Sequence, residues 1–397
     1  MMTSMSLESA LFWASVLLLG YTYLGYPALI WTWAALRSRP FHLSRNEPTV
    51  SLVVVAHNEA ERIEARLENL LALDYPRDRL EIVLGSDGST DDTAGRARAY
   101  EHAGVAAVAF ETRRGKPAVL NDLVPKVRGE VLVFADARQR FEAGALRILV
   151  GSFGDPEVGA VSGELILTRH QEGTAVGDGV GFYWRYEKFI RRSESRVDST
   201  VGATGAIYAI RRALYEPIPE DTILDDVAIP LRIARRGYRV LFEPTARAVD
   251  RVAATSEEEF ARKVRTIAGC CQLFARERWL LNPFGNRLWL QTVSHKGLRL
   301  LTPLLLATAF ASNLVLADAP VYGLALGGQV AFYLAALAGY VLRKARAKVT
   351  LLAVPYVLCL LSWATVVAFF RFLAGRQQAT WESGATYSAI APSRRRP

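Results

Sequence analysis

Apolar and polar positions sort the 397 residues into two kinds of stretch. Residues 11–36 (LFWASVLLLGYTYLGYPALIWTWAAL) carry no charged side chain. They outlast the ~20 helical residues that cross a hydrocarbon core of ~30 Å, and they are too long for the apolar core of a secretion signal. Trp31 and Trp33 sit near their end, where a span meets lipid headgroups. Residues 300–317, 321–342 and 350–373 are three further apolar stretches, the last with Pro355 as an expected kink. Between them the pattern shortens and alternates. Residues 50–56 (VSLVVVA) form a continuous β-branched run, as a buried parallel strand does. Residues 59–73 place Ile63, Leu67, Leu70 and Leu71 on one helical stripe. Strands over 80–85, 105–110 and 130–135 alternate with helices over 91–103 and 116–127, the former capped by Ser89 or Thr90. That order predicts an α/β fold with a doubly wound, mostly parallel sheet, whose ligands sit beyond the carboxyl ends of the strands.

These patterns divide the chain into an N-terminal transmembrane helix (1–40), a globular domain (41–256), amphipathic interface helices (257–299), three transmembrane helices (300–374) and a tail (375–397). The 257–299 stretch mixes Trp279 and Trp289 with Arg276, Arg278, Arg287, Lys296 and Arg299, the composition of helices lying in a membrane interface. Arg37 and Arg39 follow the first span and no Lys or Arg precedes it within residues 1–10, so the positive-inside rule places the globular domain in the cytoplasm. The basic loop at 343–348 fits the same side. Four spans then leave the tail outside, although it carries Arg376 and Arg394–Arg396. The expected location is the cell inner (plasma) membrane, multi-pass.

Composition narrows the function. With 51% hydrophobic and 22% charged residues the chain is neither disordered nor a disulfide mini-protein. Forty-eight Lys and Arg against 39 Asp and Glu give a net charge of +9, which favours an anionic partner such as a phosphate, a nucleotide or a lipid surface. Three cysteines form no disulfide framework, so the polar part belongs in a reducing compartment. There is no G-x-x-x-x-G-K-[ST] loop, no strand followed by G-x-G-x-x-G, no zinc spacing among the histidines and no G-x-S-x-G elbow.

Acids cluster at the predicted strand ends. The first strand runs into Ala56-His57-Asn58-Glu59 and the second into Ser86-Asp87-Gly88-Ser89-Thr90. A carboxylate at Asp87 suits a nucleobase imide or a ribose hydroxyl; the plain alternative is a turn that caps the next helix. The fourth strand ends in FADAR. Asp136 there is costly to bury unless paired, with Arg138 as one partner, or bound to a cation that bridges two phosphates. Asp225 and Asp226 are adjacent acids among Ile223, Leu224 and Val227, where desolvation and like charge raise a carboxyl pKa toward that of a general base. Lys116 and, farther on, Arg262 and Arg265 are cations suited to phosphate.

In order, VVVAHNE, GSDGSTDDT, RRGKPAVLN, FADAR, GATGAIYAIRR, ILDDVAIPLRIARRGYRV and RKVRT resemble the motifs of family 2 glycosyltransferases, in particular the membrane-embedded synthases of hyaluronan, cellulose, chitin oligosaccharides and poly-N-acetylglucosamine. The resemblance implies a GT-A fold for the globular domain and inverting transfer of a sugar from a nucleotide-diphosphate sugar, a UDP-sugar first, to a growing polysaccharide; the alternative is single-sugar transfer to a polyprenyl-phosphate or lipid-linked acceptor. A nucleotide-binding membrane scaffold without catalysis is the third class. The resemblance makes Asp226 the base with Asp225 beside it. Ala56, Asn58, Glu59 and Asp87 then line the nucleotide, Lys116 meets the diphosphate and Asp136 holds Mg2+ or Mn2+. Gly202, Thr204 and Gly205 fall in the acceptor segment, and Arg262, Arg265 and Thr266 in the Q-x-x-R-W position. The partners implied are a nucleotide-sugar donor, the acceptor, a lipid bilayer and an accessory subunit, with no nucleic acid. Two positions depart from the pattern: the second D-x-D acid is Arg138, and the Q-x-x-R-W position reads R-K-V-R-T.

Overall fold

The computed structural model of the chain describes residues 6–44, 46–168, 175–251, 256–342 and 350–380. The basic loop at 343–348 and the arginines at 394–396 lie outside them. The chain divides into two compact units, one of residues 39–170, 198–261 and 377–397, the other of residues 1–38, 171–197 and 262–376.

In chain order the elements are α1 (Leu7–Gly20), α2 (Tyr26–Leu36), β1 (Val50–Ala56), α3 (Ala60–Leu71), β2 (Leu80–Asp87), α4 (Thr93–Arg98), β3 (Val105–Phe110), α5 (Lys116–Leu123), β4 (Val131–Asp136) and β5 (Arg140–Phe141). There follow α6 (Ala145–Gly151), β6 (Val158–Thr168), α7 (Ala175–Val197), β7 (Ile207–Arg211), α8 (Asp225–Arg235), β8 (Arg239–Arg251) and α9 (Ser256–Arg276). The first unit is built on an eight-stranded mixed sheet in the order β3-β2-β1-β4-β7-β6-β8-β5. Its first four strands are parallel, whereas β7 runs antiparallel to both β4 and β6. The apolar runs explain the centre: every residue of β1 is buried, and Leu52, Val54, Val133 and Ala135 share a core with Ile63, Leu67 and Leu70 of α3.

Parallel pairing brings the carboxyl ends of β1, β2 and β4 to one edge. Antiparallel pairing of Ala135 with Ile207 brings the start of β7, and the Gly202–Gly205 segment before it, to that same edge. The strands extend one or two residues further than the apolar runs imply, so Asp87 and Asp136 are the last residues of their strands. Two helices are shorter than expected. The 91–103 helix is regular only over Thr93–Arg98, with the Asp91 carboxylate rather than Ser89 or Thr90 accepting the Thr93 N–H. The 116–127 helix ends at Leu123 and closes in a tighter turn containing Pro125.

Among the described residues, the second unit holds three helices long and apolar enough to cross a membrane: Leu7–Leu36, Pro320–Val341 and Leu352–Leu373. The pair Trp289–Leu300 and Thr302–Val315, bent by 59°, makes a fourth if it counts as one span. α7, from the middle of the 41–256 stretch, belongs to this unit: Ile190 and Val197 pack against Tyr26, Ile30 and Ala34 of α2. Residues 377–380 return to the unit that holds the sheet, where a Cβ on Gly115 would lie 3.6 Å from Thr380 Cγ2.

Candidate active site

The site grows from the strand ends. Gly115, in the left-handed half of backbone space at φ 95°, turns the chain into α5 and aims Lys116 inward. Lys116 is 5% exposed. Its Nζ donates to Asp136 Oδ1 at 2.9 Å and lies 3.4 Å from Asp225 Oδ2. Burial opposes its charge, yet Asp136 and Asp225 outweigh burial and hold its pKa above the usual lysine range. Asp136 therefore pairs with Lys116, twenty residues away in the chain, and not with Arg138 as the sequence allows.

Asp226 is fastened by both its backbone and its side chain. α8 contains Pro230, which has no N–H to reach the carbonyl four residues earlier. That carbonyl is Asp226 O, and it accepts instead from Ala203 N at 2.7 Å. The Asp226 carboxylate accepts from Gly205 N, also at 2.7 Å. Ser162 Oγ accepts from Thr204 N at 3.1 Å, so three successive elements of the segment are tied down. A Cβ on Gly205 would lie 3.3 Å from Asp226 Oδ2 and 3.6 Å from both Asp136 Oδ2 and Lys116 Nζ. Gly205 is thus the floor on which these groups meet. Gly202, at φ 96°, is pressed against Val227, where a side chain would be strained. Burial, then the neighbouring Asp225, pushes Asp226 up to about 6, against the pull of Lys116 and the Gly205 N–H. The first turn of α8 also favours a negative charge, so desolvation and like charge win over the helix dipole here.

Asp87 stands one link away. Its two carboxylate oxygens accept from Arg114 N at 2.7 Å and Gly115 N at 2.8 Å, fixing the turn that presents Lys116. Each oxygen keeps a second lone pair for a ligand donor. Gly88 lets the turns touch: a Cβ there would lie 2.3 Å from Arg113 N. Val55, His57, Asp87, Arg113, Gly115 and Thr380 line a cleft at this edge. Ala56 is buried at the end of β1. Asn58, a non-glycine residue at φ 52°, accepts from Thr90 N at 2.8 Å and so joins the β1 and β2 loops. Glu59 is buried and its carboxylate turns to Arg62 of its own helix at 3.0 Å. Arg262, Arg265 and Thr266 lie on α9 and belong to the other unit.

Three contributors were not singled out from sequence: Ser162, Pro230, and His57, whose Nδ1 lies 2.7 Å from the Asp87 carbonyl. Pro230 had a legible signal, a helix interior proline four residues after an acid. The other two depend on contacts between distant strands.

No group of three or more His, Cys, Asp or Glu side chains able to hold a metal ion occurs among the described residues. Asp136, one-third exposed, offers a single carboxylate beside an ammonium. That donor set fits a cation arriving with most of its ligands already supplied by phosphate oxygens.

With this geometry in hand, residues 48–269, more than half of the chain, match the model of the glycosyltransferase-like family 2, and the chain belongs to that family. It is 25% identical over 233 residues to poly-beta-1,6-N-acetyl-D-glucosamine synthase of Staphylococcus aureus (strain COL), covering 57% of this chain and 56% of that protein. It is 27% identical over 219 residues, half of each chain, to the probable glycosyltransferase YdaM of Bacillus subtilis. The chain thus spans about half the length of the curated relatives it matches. Among solved structures, mannosyltransferase PcManGT from Pyrobaculum calidifontis, crystallised with GDP-Man and Mn2+, superposes with a TM-score of 0.71 at 24% identity over 92% of this chain and 99% of that one. The likeness extends to the fold of nearly the whole chain.

Pro230→Ala tests the backbone clamp. Alanine restores the N–H that competes with Ala203 for the Asp226 carbonyl. Removing an interior helix proline is worth up to about 3 kcal/mol, so the melting temperature should rise. Displacing Gly205 and Asp226 should lower sugar turnover, by up to about 100-fold for a shift near 1 Å. Unchanged turnover with a higher melting temperature would show that the clamp does not matter.

Proposed function

We propose that the chain transfers a sugar from a nucleotide-diphosphate sugar, a UDP-sugar first, to a growing polysaccharide at the cytoplasmic face of the cell membrane, with inversion at the anomeric carbon. The observation that carries this reading is Asp226: a carboxylate with a raised pKa, fixed on Gly205 beside Lys116, next to a cleft lined by Asp87. Asp226 takes the acceptor hydroxyl proton. The acceptor oxygen attacks the anomeric carbon, and the bond to the diphosphate breaks with its electron pair going to the leaving phosphate. One base and no enzyme nucleophile suffice for inversion. Lys116 stabilises charge as it develops. Asp136 would hold a Mg2+ or Mn2+ ion, which when bound neutralises charge on the leaving diphosphate. Asp87 orients the nucleoside end, with Asn58 knitting the adjoining loops. Arg262, Arg265 and Thr266 are assigned to the acceptor side by the resemblance alone.

A second reading, one-sugar transfer to a lipid-linked acceptor, is favoured by the R-K-V-R-T sequence, which lacks the tryptophan of the polymer-forming members.

Three experiments follow. Product length with radiolabelled donor separates the readings: a ladder supports polymer synthesis, whereas one lipid-soluble product supports single transfer. Because the base must be ionised, turnover should climb with pH through about 6, and Asp226→Asn should cost ~10²- to 10⁴-fold while UDP binding persists. A full-rate asparagine variant would remove Asp226 from its role. Chelation with EDTA should abolish transfer and added Mg2+ or Mn2+ restore it; undiminished transfer in chelator would exclude the Asp136 assignment.

A further inference from the structure

In the unit of apolar helices, Glu187, Glu194, His295 and Arg299 meet in one buried cluster. His295 lies on a widened helical turn, Thr292–Gly297, and is 4% exposed. Its Nδ1 is 2.8 Å from Glu194 Oε1 and its Nε2 is 3.0 Å from Glu187 Oε2, both carboxylates belonging to α7. The Tyr26 hydroxyl of α2 donates to the same Glu194 oxygen at 2.6 Å. Arg299, one turn beyond His295, pairs with the other oxygen of Glu187. Around this core the Tyr21 and Ser294 hydroxyls share a hydrogen bond of 2.8 Å, and Tyr186 donates to the Tyr23 carbonyl at 2.9 Å. Tyr21 also sits on a widened turn, Tyr21–Gly25, so the two departures from α-helical geometry meet at the cluster.

The hydrogen-bond count fixes the protons. A neutral imidazole has one N–H and one lone pair. Here both ring nitrogens face carboxylate oxygens, and a lone pair against an ionised carboxylate repels. The arrangement closes only with one proton more than a neutral histidine and two carboxylates supply. Arg299 pairs with Glu187, and a second proton on the imidazole places positive charge between the two carboxylates. An imbalance would be costly at so buried a place. Ionisable groups among membrane helices mark function more often than they serve packing.

We propose that His295 is a positioning residue, held as an imidazolium between Glu187 and Glu194, whose proton fastens α7 to the first apolar helix and to the Trp289–Leu300 helix. In the chain, α7 leads through residues 198–201 into Gly202–Gly205, the segment whose Gly205 N–H binds the Asp226 carboxylate. The effect on turnover rests on the transferase reading; the proton itself does not. The lock is closed while the imidazole keeps its second proton and opens as pH rises.

The test uses the full chain in lipid nanodiscs with 15N-labelled histidine, assigned by comparison with His295→Gln. At neutral pH the His295 signals should report two protonated ring nitrogens. One protonated and one bare nitrogen would overturn the proposal. Glu194→Gln supplies an amide N–H to Nδ1, so a neutral imidazole then satisfies both partners. Thermal stability of the wild type should fall at alkaline pH, and that fall should vanish in Glu194→Gln; parallel curves for the two proteins would count against the lock. His295→Gln should lower kcat at least tenfold with the UDP-sugar KM unchanged and lose the alkaline limb of the wild-type profile, whereas a retained limb would assign it elsewhere. Loss of turnover in Asp226→Asn with the nitrogen signals intact would separate failure of the site from failure of the lock.

Discussion

The ammonium of Lys116, buried between the carboxylates of Asp136 and Asp225, is the interaction on which the rest of the site depends. Asp136 comes from the end of β4 and Asp225 from the first turn of α8, and Asp226 lies beside them. Three acids gathered at one place without a cation would repel one another and take up protons. A buried ion pair of this kind is weak evidence of stability but fixes geometry, because removing one partner strands the other. It also grades the acids: Asp225 faces the ammonium, while Asp226 is left with a raised pKa suited to a base.

Backbone chemistry completes what charge begins. Pro230 denies its helix one hydrogen bond, and the freed carbonyl holds the loop that bears Gly205. Asp87 does the same service for the turn before Lys116 through two backbone N–H groups. Carboxylates in this protein thus serve first as fasteners of loops. The two carboxylates to which we assign chemistry, Asp136 and Asp226, are only partly covered. Sheet topology makes this possible, since β7 runs against β4 and delivers its preceding loop to the edge where the parallel strands end.

Much of this was legible in the sequence. Continuous β-branched runs exposed β1, β2 and β4, and a parallel sheet places polar residues after such runs at one edge. The ordered motifs pointed to the family that residues 48–269 match. Less legible were β6 and β8, whose apolar positions are interrupted by charges such as Glu164 and Arg247, and the short β7, only five residues long. The ion pair of Lys116 with Asp136 was hidden behind the nearer Arg138, because sequence distance says nothing of which side chain a sheet edge brings close. Glu59 reads as a ligand group next to a strand end, yet a salt bridge within its own helix turns it away. The cluster of Glu187, Glu194, His295 and Arg299 joins residues about a hundred positions apart, and no local pattern announces it.

Taken together, the fold gathers one ammonium, three carboxylates and one glycine floor next to a cleft lined by Asp87, in a chain whose other unit holds helices long and apolar enough to cross a membrane. The claim at the centre is that Lys116 and Asp226 act as parts of one charge-coupled cluster. A double-mutant cycle on kcat/KM with Lys116→Met and Asp226→Asn measures that coupling directly. If the cluster is one unit, the second substitution adds little to the loss caused by the first. If the two losses simply multiply, the groups work independently and the arrangement described here is not the engine of the reaction.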